Sequence, residues 1–322
     1  MRRRALLAAP MAMAMAMIPA VRAQGRPVLG FLYASANSWE YLRDLRRGLA
    51  EQGLGESDYG LEPRSGDDKA EQLAPLAREL VAKKVNVILA TGGSAPARAA
   101  KQATRDIPIV FVSAADPIRA GLVASLSRPG GNVTGVSLIG SALEAKRIEY
   151  LSRVLTQPGA IAALVDPTYP DADLQKTEFK DAAAAVGRPI DFVLVSREAE
   201  LEPAIAAAVS RGAVGLVISQ GALFNSNRAL LVSLAARFRL PAIYNQRQFP
   251  DTDGLMSYGA SFADGYRLGG VYAGRILKGT RPADLPVIQA ARFEFIVNLR
   301  TARALGLTLP ADLLGRADEV IE

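Results

Sequence analysis

The run Thr91-Gly92-Gly93-Ser94-Ala95-Pro96 gathers groups suited to holding a small anion. Its glycines let the backbone approach a ligand closely, Ser94 is a suitable helix cap, and Pro96 favours the first turn of a helix. Free amides and hydroxyls at a helix N-terminus attract negative charge, here on the scale of a carboxylate. A tight turn without ligand would use the same residues. The run is neither a Walker phosphate loop nor a Gly-x-Gly-x-x-Gly dinucleotide fingerprint. Downstream, Ser113-Ala114-Ala115-Asp116-Pro117 offers a hydroxyl and a carboxylate. Asp116 could accept from a ligand ammonium, or could cap a helix over 121–127. Ser35 and Trp39, the one tryptophan, supply a hydroxyl and a ring that could stack on a ligand or pack on its own lobe. Tyr169, Gln220, Tyr244 and Gln246 add aromatic and amide groups in three later segments.

The residues that are missing narrow the chemistry further. The chain has 322 residues, with no cysteine and no histidine. That excludes disulfides, thiolate or imidazole metal sites, thiol nucleophiles and Ser-His-Asp machinery. Asp67-Asp68 and Glu198/Glu200 fall in polar loops and do not pair as glycosidase acids. The lysines fall on helical segments or their exits. The inventory suits a binding protein without metal or cofactor better than an enzyme. Met1–Arg4 is basic, Ala5 to Ile18 is apolar, and Val21-Arg22-Ala23 places small residues at a cleavage site. This is the order of a signal peptide cleaved near Ala23, too short to span a bilayer, and it points to export into a periplasm, by the general or the twin-arginine route. Without Arg2, Arg3, Arg4 and Arg22, the 38 basic residues become 34 against 32 acidic ones, a charge of +2. Near neutrality with no basic cluster argues against nucleic acid as a partner.

These groups need elements that bring them together. Nine short apolar runs read as strands: Val28–Ala34, Val85–Ala90, Pro108–Ser113, Val133–Ser137, Ala160–Val165, Ile190–Val195, Val214–Ser219, Pro241–Tyr244 and Leu255–Tyr258. Continuous rather than alternating hydrophobicity suits strands buried on both faces of a parallel sheet. Between them, Leu73, Leu76, Ala77, Leu80 and Val81 follow helical spacing, as do Ile148, Leu151 and Leu155. Gly53, Gly187 and Gly212 stand where helices end. Alternating strands and helices predict an α/β fold. The turn-rich Ser127-Arg128-Pro129-Gly130-Gly131-Asn132 precedes a second series of units. Two doubly wound parallel-sheet lobes fit this better than one (β/α)8 barrel, with a boundary near 137–141. Ligands of such sheets bind beyond the carboxyl ends of the strands. The candidate groups named above follow strands.

Several longer segments carry a family resemblance. Ile107–Val112, Asp116-Pro117, Ala120–Leu126 and Arg128–Gly135 resemble the signature stretch of a family of ABC transporter substrate-binding proteins that includes tryptophan- and tyrosine-binding members. Leu240–Tyr244, Gly254–Gly259, Ile276–Gly279, Asp284–Val287 and Arg316–Ile321 resemble it too, so the likeness runs from about Pro27 to the C-terminus. The resemblance implies a type I periplasmic-binding-protein fold, with three crossover strands and a ligand cleft between lobes. The first lobe would be 24–137 with about 259–290, and the second 138–258 with about 291–322. It also implies hinge closure and delivery to a membrane permease and its ATPase. The family's Thr-Gly loop matches Thr91–Ala95, and its Asp-Pro matches Asp116-Pro117. The sequence departs from the family near Asp166–Pro170, Ser219–Ala222 and Tyr244–Gln246, the ligand-facing loops. The expected ligand is a small organic solute such as an aromatic or hydrophobic amino acid, bound by a monomer. A sensor presenting its solute to a membrane receptor would use the same fold.

Overall fold

The computed structural model describes residues 25–322 apart from 35, 68, 139–142, 170 and 290. The expected signal segment and Ser35 lie outside the described residues. In chain order the strands are β1 (Val28–Tyr33), β2 (Gly60–Ser65), β3 (Val87–Thr91), β4 (Ile109–Ser113), β5 (Val133–Ser137), β6 (Ala160–Val165) and β7 (Ile190–Leu194). They continue as β8 (Ala213–Ile218), β9 (Ala242–Tyr244), β10 (Met256–Ala260), β11 (Ile288–Gln289), β12 (Phe293–Asn298) and β13 (Glu319–Ile321). The helices that frame the site are α1 (Leu42–Glu51), α2 (Leu73–Ala82), α3 (Ser94–Ala103), α4 (Leu143–Val154) and α5 (Ala172–Ala185). After them come α6 (Leu201–Ser210), α7 (Ala222–Ser226), α8 (Arg228–Arg237), α9 (Gln248–Asp251) and α10 (Phe262–Leu277).

Two sheets form, in the orders β11-β5-β4-β3-β1-β2 and β13-β12-β10-β9-β8-β6-β7. Every strand pair of the first sheet is parallel. In the second sheet β12 turns back against β10, pairing Tyr258 with Phe295, and carries β13 with it. The expected α/β architecture with two mainly parallel sheets is therefore present. The apolar runs have their stated cause. Leu29, Phe31 and Tyr33 of β1 face one apolar cluster, whereas Leu32 joins another on the opposite face. Both faces are covered, so both must be apolar. The sequence reading passes over β2, β11, β12 and β13. β2 is a half-buried edge strand, Gly-Leu-Glu-Pro-Arg-Ser, and an edge tolerates its proline.

The chain passes between the sheets three times, after β5, after β10 and after β11. β10 keeps Gly259 and Ala260 in the second sheet, and α10 then packs on β3, β4 and β5 of the first. There α10 also lies against α1, backbone to backbone. A Cβ on Gly48 would come 1.9 Å from Arg267 O, and one on Gly270 would come 2.1 Å from Leu45 O. Only glycine permits that approach. It fixes the first turn of α10 beside the carboxyl ends of β3 and β4.

Candidate functional site

The carboxyl ends of β1, β3 and β4 face those of β6, β8 and β9 across a cavity of about 270 Å³. That is close to the lower end of small-molecule pockets, about 300–1,000 Å³. Ala34 and Ser38 follow β1, Gly92–Ala95 follow β3, and Ala114 follows β4. From the other side come Thr168 and Tyr169 after β6, Gln220–Ala222 after β8, and Gln246 with Gln248 after β9. Among the described residues, Arg98 of α3 and Arg228 of α8 are the charged side chains of the lining, and no carboxylate lines it.

The Gly92–Ala95 loop is built from backbone geometry. Gly92 and Gly93 adopt φ +86° and +106°, the left-handed side that L side chains rarely reach. A Cβ on Gly92 would stand 3.0 Å from Ala34 Cβ and 3.2 Å from Ser38 Oγ. Gly93, rather than Ser94, is the N-cap of α3, and Ser94 is its first helical residue. The free amides of that first turn and Arg98, one turn further along, present positive potential to one wall. The floor is aromatic. Tyr41 stacks on Tyr266 with ring centroids 4.7 Å apart and on Phe262 at 5.8 Å. Burial pushes the Tyr41 and Tyr266 phenols up, with the Ser38 and Thr91 hydroxyls opposing it at Tyr266, so both stay neutral. Burial also raises the phenol of Tyr169 in the opposite wall.

Of the residues singled out in the sequence, Gly92, Gly93, Ser94, Tyr169, Gln220 and Gln246 line the cavity. Thr91 and Ser113 end their strands fully covered, one layer beneath it. The Ser113 hydroxyl accepts from the Ala115 amide at 3.1 Å. Trp39 is 42% exposed and sits about 6 Å from the rings of Phe31 and Tyr33, outside the lining. Tyr244 is fully buried and stacks on Phe249 at 4.4 Å, because its side chain turns into the core of the second sheet. Asp116 is held in a local turn, where Oδ1 accepts from the amides of Ile118 and Arg119 at 2.8 and 3.1 Å. No helix forms over 121–127, where Gly121 takes φ +69°.

The sequence reading does not reach Tyr41, Arg98, Arg228, Phe262 or Tyr266 as lining residues. Arg98 carried a signal, four residues after Ser94 and so on the same helical face. Phe262 and Tyr266 carried none, since only tertiary packing brings α10 to this end of the first sheet. Two ion pairs span the cleft between segments of the two sheets: Glu40 with Arg228 at 2.6 Å, and Arg119 with Asp171 at 3.4 Å. Among the described residues no group of acidic side chains is arranged to hold a metal ion, and no helix is long and apolar enough to cross a membrane.

Known proteins resemble this chain in sequence and fold. A tyrosine-binding protein of Clostridioides difficile (strain R20291) is 28% identical over 233 residues, 72% of this chain and 66% of the relative. The match thus spans just under two thirds of that relative's length. An ABC domain from Streptococcus pneumonia, solved in complex with L-Trp, superposes with a TM-score of 0.83 at 24% identity, covering 92% of this chain and all of that one. The ligand-free, open structure of a substrate binding protein with adhesive properties from Clostridium difficile gives 0.69 at 22% identity, covering 92% and 99%. These likenesses show the fold. The family model described as ABC transporter substrate binding protein matches residues 38–321. The chain belongs to that family.

Proposed function

We propose that this protein is the solute-binding component of an ABC importer, working outside the inner membrane after removal of the segment ending near Ala23. It captures a small carboxylate-bearing solute, most simply an aromatic amino acid, and passes it to a permease and its ATPase. It acts as a monomer, without cofactor and without catalysis. One observation carries the reading: a cavity between two sheets has the Arg98 guanidinium and the first turn of α3 on its wall, stacked aromatic rings at its floor and, among the described residues, no carboxylate in its lining. The solute's carboxylate meets the amides after Gly93, the Ser94 hydroxyl and Arg98. Its ring rests on Tyr41, Phe262 and Tyr266. Tyr169, Gln220 and Gln246 close over it from the second lobe. The tyrosine-binding relative and the L-Trp complex support this ligand class.

The test is thermal unfolding of the protein lacking residues 1–23 against amino acids and aromatic acids. A true ligand at a hundredfold its Kd stabilises the folded state by about 2.7 kcal/mol, a shift of several degrees. Upward shifts with L-tyrosine or L-tryptophan are expected. Unmoved melting across amino acids and aromatic acids alike would sink the reading.

A further inference from the structure

The charge on the wall of the main cavity can be counted. Of the two guanidinium groups that line it, Arg228 is already answered, because Glu40 meets it at 2.6 Å from the other side of the cleft. Arg98 meets no carboxylate among the described residues. Beside Arg98, α3 begins at Gly93 with no side chain capping its first turn, so its amides add positive potential to the same wall. Ser38, Ser94, Thr168, Gln220 and Gln246 add neutral hydroxyls and amides to the lining. Burial raises the phenols of Tyr41, Tyr169 and Tyr266, which keeps them uncharged as well.

The acids that lie near the cleft are engaged elsewhere. Asp116 accepts from two amides of its own turn. Beyond Tyr169 and Gln220, in a separate compartment of about 70 Å³, Glu144 is paired with Arg147, Asp171 with Arg119, and Glu178 lies against Glu144. None of these four lines the main cavity. An α-amino acid carries its ammonium on the carbon next to its carboxylate. A solute whose carboxylate meets the first turn of α3 therefore brings its ammonium up to Arg98 and the same amides. Like charges repel, and a partly desolvated cleft screens that repulsion less than bulk water does.

We propose that the cleft selects for net negative charge: amino acids are taken for their carboxylate and ring, and aromatic monoanions of the same shape, such as aryl-bearing 2-hydroxy acids, bind more tightly still. The inference rests on the cleft being the solute site with the carboxylate at α3, and it sets the charge of the preferred solute.

Calorimetric titration near pH 7 tests it with three probes: L-tyrosine, L-3-(4-hydroxyphenyl)lactate, which has a neutral hydroxyl in place of the ammonium, and tyramine, which lacks the carboxylate. The hydroxy acid should bind wild type more tightly than L-tyrosine, by about threefold or more, and tyramine should bind most weakly. Glu40→Gln leaves Arg228 without its carboxylate and should widen the ratio between hydroxy acid and L-tyrosine by a further factor of about three. Any loosening of the cleft in that variant acts on both probes and cancels in the ratio. Arg98→Ala should narrow the same ratio, and thermal melts of both variants are the control for folding. A hydroxy acid bound no more tightly than L-tyrosine, or a ratio unmoved by either variant, would overturn the charge selection and leave the carboxylate-binding reading standing. Tyramine as the tightest binder, or failure of all three probes to bind wild type, would overturn both.

Discussion

At the level of single side chains, Arg98 and Glu178 make opposite demands on the fold. Arg98 lies exposed on the cavity wall and pairs with no carboxylate among the described residues. Removing it costs the fold little, since surface substitutions away from special features stay within about 0.5 kcal/mol. It should cost a carboxylate ligand about 1.5–3 kcal/mol, the range of a charge-assisted hydrogen bond. Arg98→Ala should therefore bind L-tyrosine roughly tenfold or more weakly by calorimetry at an unchanged melting temperature. Equal affinity would remove Arg98 from the anion site. Glu178 has the opposite stability signature. Its pKa is raised in the folded state, by burial first and by Glu144 next. A carboxyl shifted upward penalises the fold where it is charged, and the penalty disappears as pH falls through the folded pKa. Without ligand, Glu178→Gln should melt at or above wild type near pH 7 and lose any advantage in acid. A clear drop at pH 7 would mean that Glu178 has a structural partner.

At the scale of elements, the contact of α1 with α10 positions the cavity floor. Gly48→Ala would drive a methyl into the backbone at Arg267. Overpacking of this kind costs about 1–3 kcal/mol or more and would displace Phe262 and Tyr266. Thermal unfolding and L-tyrosine titration should both show losses; a variant with native melting would mean that the helices can part freely. The strands were largely legible in the sequence, because burial on both faces leaves a continuous apolar run in each. β2 was not, since an edge strand needs apolar residues on neither face throughout, and Glu62-Pro63-Arg64 reads as a loop. The cavity lining was legible where local chemistry makes it, in Gly92-Gly93-Ser94 after β3. Other candidates fall outside the lining where the side chain's direction decides. Tyr244 ends β9 and turns into the core, and Asp116 spends its carboxylate on two nearby amides. Arg228, Phe262 and Tyr266 belong to helices whose ends meet the cleft only after both lobes are assembled.

At the scale of the whole molecule, the pairs Glu40–Arg228 and Arg119–Asp171 bridge the cleft at two places. Each is partly exposed, so each contributes at most about 1 kcal/mol and weakens with salt. Contributions of that size are enough to bias a two-state hinge, whose populations shift by mass action when solute bridges both lobes. Glu40→Gln should enlarge the radius of gyration of the ligand-free protein in small-angle scattering, and saturating L-tyrosine should contract it again. A radius unchanged by mutation and by ligand alike would argue against a hinge biased by this pair.

The three passages between sheets also bear on how the chain is made. The first sheet has five of its six strands by Ser137, yet the helix that covers α1 is Phe262–Leu277, and β11 closes its edge later still. Until α10 arrives, the glycine face of α1 and the apolar side chains around it stand in water. The second sheet likewise waits for β12 and β13 from the final stretch of the chain. Neither sheet is complete before the residues of β11 to β13 are present. Contacts between such distant segments are slow to form. Until Phe262–Leu277 and the strands after it are in place, neither sheet has the neighbours that cover it in the finished fold.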